Sequence, residues 1–413
     1  MSHRSDVIIV GGSVAGCILA LCYARRGLRV AVLEQKNNDA AYKTLCTHFV
    51  QPIALPVFQE LELAGPLESL GALRTKAAFW TSAGWIDPPE NYGTGPETAY
   101  AYNIERRLLD PFLRAQAASE ENVNFLMGYR VINAAHNGNG WLVEAQTAHG
   151  TARLEAQLLV AADGRHSSIA GALGNKAVAD ENQRAALFAY FEGIQPPEKN
   201  RSIFILSEPD RGFLYPLCDQ HTLLALYVPK ATAQEWQDSN AVLEKKITAY
   251  FKQFPGVPAV NRARALGPVL AYSDYPNLTR KAVFNGAAFV GDAALSLDPL
   301  SGVGCSFAAV SARMVASATA DALLAQHDLA TSLAAYEAEF NSFFLPHATG
   351  IKADSIIAKS PEAALRTYRS ITSSARLQRE FVDLTGRLIS PSRFQAAYMS
   401  TLVKSRTHAQ AAQ

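Results

Sequence analysis

The sequence predicts an α/β protein: a discontinuous Rossmann-like domain, interrupted by a β-rich, mixed-sheet domain and followed by C-terminal helices. Three observations predict it. A strand, a glycine turn, a helix and a second strand follow one another over residues 6–34. The buried-strand signature returns at 158–162 and again at 287–290. Between these, over about 184–283, alternating aromatic-rich runs dominate.

The elements follow in order. Residues 6–10 carry the buried run Val-Ile-Ile-Val, and Gly11-Gly12-Ser13-Val14-Ala15-Gly16 forms the turn. Residues 14–26 read as a helix with Ile18, Leu19 and Cys22 at packing spacing, stopped by Gly27. Residues 29–34 form a strand ending on Glu34. Helices are expected at 56–63 and 106–118. The stretch 78–92 reads as strands and a loop. Strands at 129–135 and 141–145 flank Asn137-Gly138-Asn139-Gly140, a hairpin signal. A third strand is expected at 152–156 and a separate buried one at 158–162. The β-rich region has strands at 187–191, 201–206, 213–216 and 223–228, and one helix at 241–254. A strand at 287–290 leads to Gly291-Asp292, and a long helix covers 303–325. The rest reads as helices with a polar tail. The expected partition is 1–75, 101–183 and 284–340 for the Rossmann-like domain, 76–100 and 184–283 for the inserted domain, and 341–413 for the C-terminal helices.

Composition excludes several classes. The chain has 413 residues, 49% hydrophobic and 18% charged, as in an ordinary globular protein. Its net charge is +1 without a basic run, so no nucleic-acid partner is expected. Five scattered cysteines and nine histidines show neither C-x-x-C nor H-x-x-x-H spacing, so neither a disulfide framework nor a metal site is expected. The most apolar stretch, 299–325, is interrupted by Arg313 and Asp321, so no membrane span is expected. A cytoplasmic location follows as an expectation.

The glycine turn points to a dinucleotide. A helix N-terminus offers free N–H groups to a diphosphate, and glycines let the backbone come close. Gly11 opens the turn and Gly16 permits tight helix–strand packing. The usual middle glycine is Ser13, which is small and can donate to a phosphate. Val14 and Ala15 complete the helix start. Glu34, followed by Gln35, ends the second strand, where a carboxylate accepts from a ribose diol and repels a 2′-phosphate. FAD or NAD fits.

Two later signatures narrow this. Leu159-Val160-Ala161-Ala162-Asp163-Gly164 is one; Gly291-Asp292-Ala293-Ala294, then Asp298-Pro299 and Gly302-x-Gly304, is the other. With these the sequence resembles the FAD-dependent single-component aromatic hydroxylases typified by para-hydroxybenzoate hydroxylase, over roughly residues 6–340. The resemblance implies that Gly11, Ser13, Gly16 and Glu34 hold the adenosine half of FAD. It implies that Arg106, heading an Arg-x-x-Leu-x-x-x-Leu pattern, reaches the phosphate region. Asp163 and Gly164 would lie near the diphosphate, Asp292 would bind the ribityl chain, and Pro299, Gly302, Val303 and Gly304 would face the flavin ring. The helix start at Val303 would aim N–H dipoles at the reduced ring; Asp292 could instead cap that helix.

Some family residues are missing. Leu295 stands where His is common, and Ala170 where Arg ends the Asp-Gly motif, with Arg165 nearby. After Glu34 the usual Arg pair is absent, and Lys43 is the closest cation. The resemblance implies hydroxylation or epoxidation of an aromatic or polyketide-like small molecule with O2, through a flavin C4a-hydroperoxide. NAD(P)H would be a transient electron donor, or a separate flavin reductase would supply electrons. The segment 291–304 is also similar to those of geranylgeranyl-reductase-type and halogenase-type flavoproteins, although no Trp-x-Trp-x-Ile-Pro occurs. A non-catalytic flavoprotein is the remaining alternative. Tyr215 is a candidate substrate hydrogen-bonder or a core residue, and His48 a candidate acid/base or a structural histidine. Tyr190 and Tyr227 are weaker candidates, and Cys305 reads as a packing residue.

Overall fold

The computed structural model describes residues 4–411 apart from 90–91, 94–99, 139, 237–238, 326–327 and 358. Asn139 of the expected hairpin turn and residues 90–91 and 94–99 of the expected 76–100 segment lie outside the described residues, as do 1–3 and 412–413.

The first sheet has a parallel centre. Its order is Val283–Phe284, Ala287–Phe289, Gly150–Ala161, Arg4–Val10, Val30–Glu34 and Val123–Met127. Val7 sits between Leu158 on one side and Val30 on the other. All three are buried, as expected of strands covered on both faces. Helices Val14–Ala24 and Gly304–Ala325 pack together, and the second also packs on Leu329–Ser355. Gly304–Ala325 is long and apolar enough to cross a membrane, yet 72% of its apolar window is buried inside the protein.

One expected pair of strands is a single strand. Residues 152–156 and 158–161 belong to the continuous strand Gly150–Ala161, which ends one residue before the expected 162. Its first half pairs antiparallel with Trp141–Thr147, and its second half runs parallel to Arg4–Val10. The sequence pattern therefore changes because the neighbour changes, not because the strand ends. Two helices stop early. The one expected at 56–63 is Leu55–Glu60, with Glu62 in the left-handed region at φ 52°. The one expected at 241–254 is Asn240–Phe251.

The second sheet is ten-stranded and mixed. Arg201–Leu206 runs parallel to Leu73–Thr81, and its other main pairings are antiparallel. Strands Phe49–Val50 and Ala101–Asn103 join it as well, so the boundary expected at 75/76 falls inside strand Leu73–Thr81 and the one at 100/101 at the start of a strand paired with it. The period of two sorts its side chains into two kinds of face. Ile203, Ile205, Leu214, Leu224 and Leu226 pack with Ile247, Tyr250 and Phe251 of the Asn240–Phe251 helix. Phe79, Phe188, Phe204, Phe213, Tyr215 and Tyr227 face the other way. That aromatic face is covered by helices Pro361–Thr372, Ala375–Thr385 and Pro391–Ala411, through Ile371, Leu377, Val382 and Ala397. Ser360 and Ser374 cap two of these helices by accepting from Ala363 and Leu377 N–H.

Candidate active site

The glycine turn is closed tightly. Gly11 has φ 109°, and a Cβ there would lie 2.4 Å from Ala162 O. A Cβ on Gly16 would lie 1.8 Å from Gly11 O. Only glycine allows this approach of helix and strands. The first helical bond runs from Cys17 N–H to Ser13 O, 2.9 Å, and among the described residues the N–H groups of Val14, Ala15 and Gly16 have no protein partner. Glu34 does more than end a strand. Its Oε2 accepts from Gly12 N–H at 2.7 Å and its Oε1 from Lys36 N–H at 2.9 Å, so the carboxylate braces the turn. Gln35 is exposed beside it.

Arg106 joins the turn to the rest of the site. Its Nε and Nη2 donate to Asp110 at 2.6 and 2.9 Å, one helical turn away and equally buried. Nη2 also donates to Ser13 Oγ at 2.9 Å, and Nη1 lies 3.5 Å from Cys305 Sγ and 3.9 Å from Cys46 Sγ. Asp110 further accepts from Lys43 N–H at 3.0 Å, while Lys43 Nζ pairs with Asp292 at 3.1 Å. Arg114, on the same helix, donates to Asp39 O, Ala41 O and Gly12 O and pins the loop that carries Lys43. The thiol of Cys46 is held below its ordinary pKa by the Cys305 hydrogen bond, then by His48 and Arg106. The same contact, with burial, pushes Cys305 up.

His48 is fixed from both sides. Its Nδ1 accepts from Arg106 N–H at 3.0 Å. The ring proton of the neutral form therefore sits on Nε2, which donates to Tyr190 OH. Its backbone is left-handed at φ 61°.

Asp163 caps a helix. Its Oδ2 accepts from Ser168 N–H at 2.6 Å and Ile169 N–H at 3.2 Å, and its Oδ1 is buried without a partner. Gly164 follows at φ 80°. Arg165 donates to Pro276 O at 2.8 Å and stacks on Tyr275 at 4.0 Å. Gly291, at φ 55°, donates to Ser311 Oγ at 3.0 Å, and a Cβ there would lie 3.2 Å from Ala15 Cβ. Asp292 is not the cap of the long helix, which begins at Gly304. Between them runs the turn Pro299–Ser301, capped by Asp298, whose Oδ1 accepts from Leu300 N–H at 3.0 Å. Burial pushes the Asp298 carboxyl up. Gly302 closes the turn at φ 61°. The next helical bond is Phe307 N–H to Val303 O, and among the described residues the N–H groups of Val303, Gly304 and Cys305 have no protein partner.

A cavity of about 300 Å³ adjoins this turn. Gln51, Leu300 and Ser301 line it from the turn, and Phe79, Phe204 and Phe213 from the aromatic sheet face. The C-terminal helical layer supplies the opposite wall. Tyr215 and His48 do not line it. Tyr215 lies behind that wall, stacked on Phe49 with ring centroids 5.3 Å apart, and its hydroxyl has no partner. Tyr227 is equally buried. Sequence reasoning missed Asp110 and Arg114, although Arg and Asp four apart on an amphipathic helix signal a pair. It also missed Arg387 and His347 in the cavity, which carry no motif.

The model of the FAD binding domain family matches residues 4–343. The chain belongs to that family. It is an FAD-dependent oxidoreductase. It is 29% identical over 311 residues to the probable electron transfer flavoprotein-quinone oxidoreductase YdiS of Escherichia coli, covering 70% of each chain. It is 22% identical over 343 residues to the 1H-pyrrole-2-carbonyl-[peptidyl-carrier protein] chlorinase of Pseudomonas fluorescens, covering 76% of this chain and 75% of that one. The p-nitrophenol 4-monooxygenase PnpA of Pseudomonas putida superposes with a TM-score of 0.78 at 17% identity, over 95% of this chain and 100% of that one. The residues present fit FAD. The glycine cradle that any Cβ would fill, and the free N–H groups at two helix starts, suit an anionic diphosphate and an electron-rich ring edge.

Proposed function

We propose that this oxidoreductase is a monooxygenase that hydroxylates or epoxidises an aromatic or polyketide-like small molecule. O2 is the co-substrate, and electrons come from NAD(P)H or a separate flavin reductase. FAD, when bound, supplies the redox and oxygen chemistry. The chain's residues bind and shield it: Gly11, Ser13, Val14, Ala15, Gly16 and Arg106 at the diphosphate, Glu34 at the ribose, Lys43 and Asp292 at the ribityl chain. The observation that carries the reading is the aromatic-walled cavity against the turn Pro299–Ser301. Its size is at the lower end for small-molecule sites, and its aromatic wall of Phe79, Phe204 and Phe213 would shield a substrate from water on that side during an oxygen-transfer step. No proton transfer is assigned to His48 or Tyr215, since both His48 nitrogens are bonded within the protein and Tyr215 lies off the cavity.

The likeness to a probable quinone oxidoreductase favours a second reading, in which electrons pass without oxygen transfer. Turnover under 18O2 separates the two. The expected result is a product carrying 18O, with O2 uptake that depends on substrate. Unlabelled product, or full turnover without O2, would overturn the monooxygenase reading.

A further inference from the structure

We propose that Arg387 anchors an anionic group of the substrate, so that the cavity takes an apolar molecule bearing one acidic function, such as a carboxylate. This rests on the reading above only in assigning the cavity to the substrate.

Three basic side chains line the cavity. Arg211 donates to Ser207 O at 2.7 Å and pairs with Glu208. Lys359 pairs with Asp354 at 3.2 Å. Arg387 has neither: among the described residues no group lies within hydrogen-bond or ion-pair distance of its guanidinium, and its Nε is shut off from solvent. Burial pushes its pKa down to about 10, so it remains charged at neutral pH. Arg387 is half-buried, and a partly desolvated cation without a partner is costly, so folded proteins tend to pair such groups. The nearby carboxylate, Asp354, is already taken by Lys359.

The backbone adds to the case. Arg387 has φ 64°, at a helix end where glycine is the usual residue. Gly386 before it packs so closely that a Cβ would lie 2.8 Å from the Tyr92 ring. An arginine is thus kept where the main chain favours none.

The same cavity holds two more unbonded polar atoms, Gln51 Oε1 and His347 Nδ1. Gln51 sits beside the turn, its Nε2 donating to Ser301 O at 3.3 Å. Burial, and then the charge of Arg387, push His347 down to about 4, so it is a neutral hydrogen-bonding group at neutral pH. One fixed cation and two neutral polar groups in an aromatic-walled space of about 300 Å³ suit an acid with an apolar body better than an inorganic ion. Arg387 and His347 also lie beyond residue 343, where the family match ends. The C-terminal layer would then set substrate choice for this chain.

The test uses the FAD-loaded protein and needs no turnover. Benzoate, cinnamate and 2-naphthoate are titrated beside their primary amides and beside sodium chloride, followed by flavin absorbance and melting temperature. Acids are expected to bind about tenfold or more tighter than the matched amides. Arg387→Met should cost the acids about 30-fold and the amides little, with part of the loss restored in Arg387→Lys. Without ligand, Arg387→Met should melt about 1–2 °C higher, because it removes an unpaired, half-buried charge. Amides binding as well as acids, or acids unaffected by Arg387→Met, would overturn the proposal. So would a variant melting several degrees lower, which marks a structural arginine, or chloride alone giving all of the stabilisation. Acids held by Arg387 but never labelled by 18O2 would sink the monooxygenase reading alone. Labelled neutral phenols with no preference for acids would sink this inference alone.

Discussion

Arg106 is a buried arginine and Arg387 a half-buried one, and the protein treats them in opposite ways. Arg106 donates to Asp110, Ser13 and two thiols, and its own N–H holds His48. The Arg387 guanidinium has no hydrogen-bond or ion-pair partner among the described residues. The nucleotide side of the molecule is thus organised by the protein alone before any cofactor arrives. The cavity side is left incomplete, with three polar atoms unbonded in an apolar setting. Unsatisfied groups of this kind are rare in folded proteins and ask for a ligand or water.

The largest effect should come from breaking the organised side. Arg106→Met leaves the buried Asp110 side chain with, among the described residues, the Lys43 N–H as its remaining hydrogen-bond partner. Removing one member of a buried pair typically costs about 3–5 kcal/mol. Urea denaturation should show a loss of that size, and FAD content should fall with it. The double variant Arg106→Met with Asp110→Leu should recover most of the stability but not the FAD, because Ser13 still lacks its donor. A single variant as stable as the parent would show that the contrast with Arg387 is false.

How much of this could be read from the chain differs between the same two regions. The glycine turn, Glu34 and the helix Arg106–Ala118 are local patterns, and the helix has the predicted bounds. The βαβ order and the mixed second sheet were legible because each strand carries its own burial period. Pairing was not. Nothing local tells that 152–156 and 158–161 form one strand with two different neighbours. Nor does it tell that Phe49–Val50 crosses into the second sheet. The cavity was least legible, since its wall joins Phe79, Phe204 and Phe213 to a C-terminal layer more than 130 residues further along the chain. Arg387 reads in the sequence as one more charge near a helix end. Only packing makes it a lone cation.

A smaller effect tests whether that cavity charge is felt. His347 titrates at about 4 in the folded protein, lowered by burial and by Arg387, against about 6.5 in an unfolded chain. Between these values the unfolded chain binds the proton and the folded one does not. Stability attached to this group is therefore full above about pH 6.5 and falls as pH drops towards 4. His347→Gln cannot titrate. The stability difference between parent and variant should shift by about 1–3 kcal/mol in favour of the variant over that range. The raised carboxyls of Asp298 and Asp383 act in the opposite sense, but they are common to both proteins and cancel in the difference. In an Arg387→Met background the shift should shrink. A pH-independent difference would mean that His347 is not buried beside a cation.

The smallest effect concerns Tyr215, and it separates an orphan group that waits for a ligand from one that does not. Its hydroxyl is buried and unbonded like Gln51 Oε1, but it lies behind Phe204 and Phe213, off the cavity. Burial raises its pKa, so it is a neutral phenol. Removing a buried polar atom that has no partner is neutral or slightly favourable, whereas removing one that holds substrate costs binding. Tyr215→Phe should therefore leave stability unchanged or raised by up to about 1 kcal/mol, and leave acid binding to the holoprotein within twofold, read on the same titrations. A loss of binding of about tenfold would place the Tyr215 hydroxyl in the substrate site after all, and the wall formed by Phe204 and Phe213 would have to open to reach it.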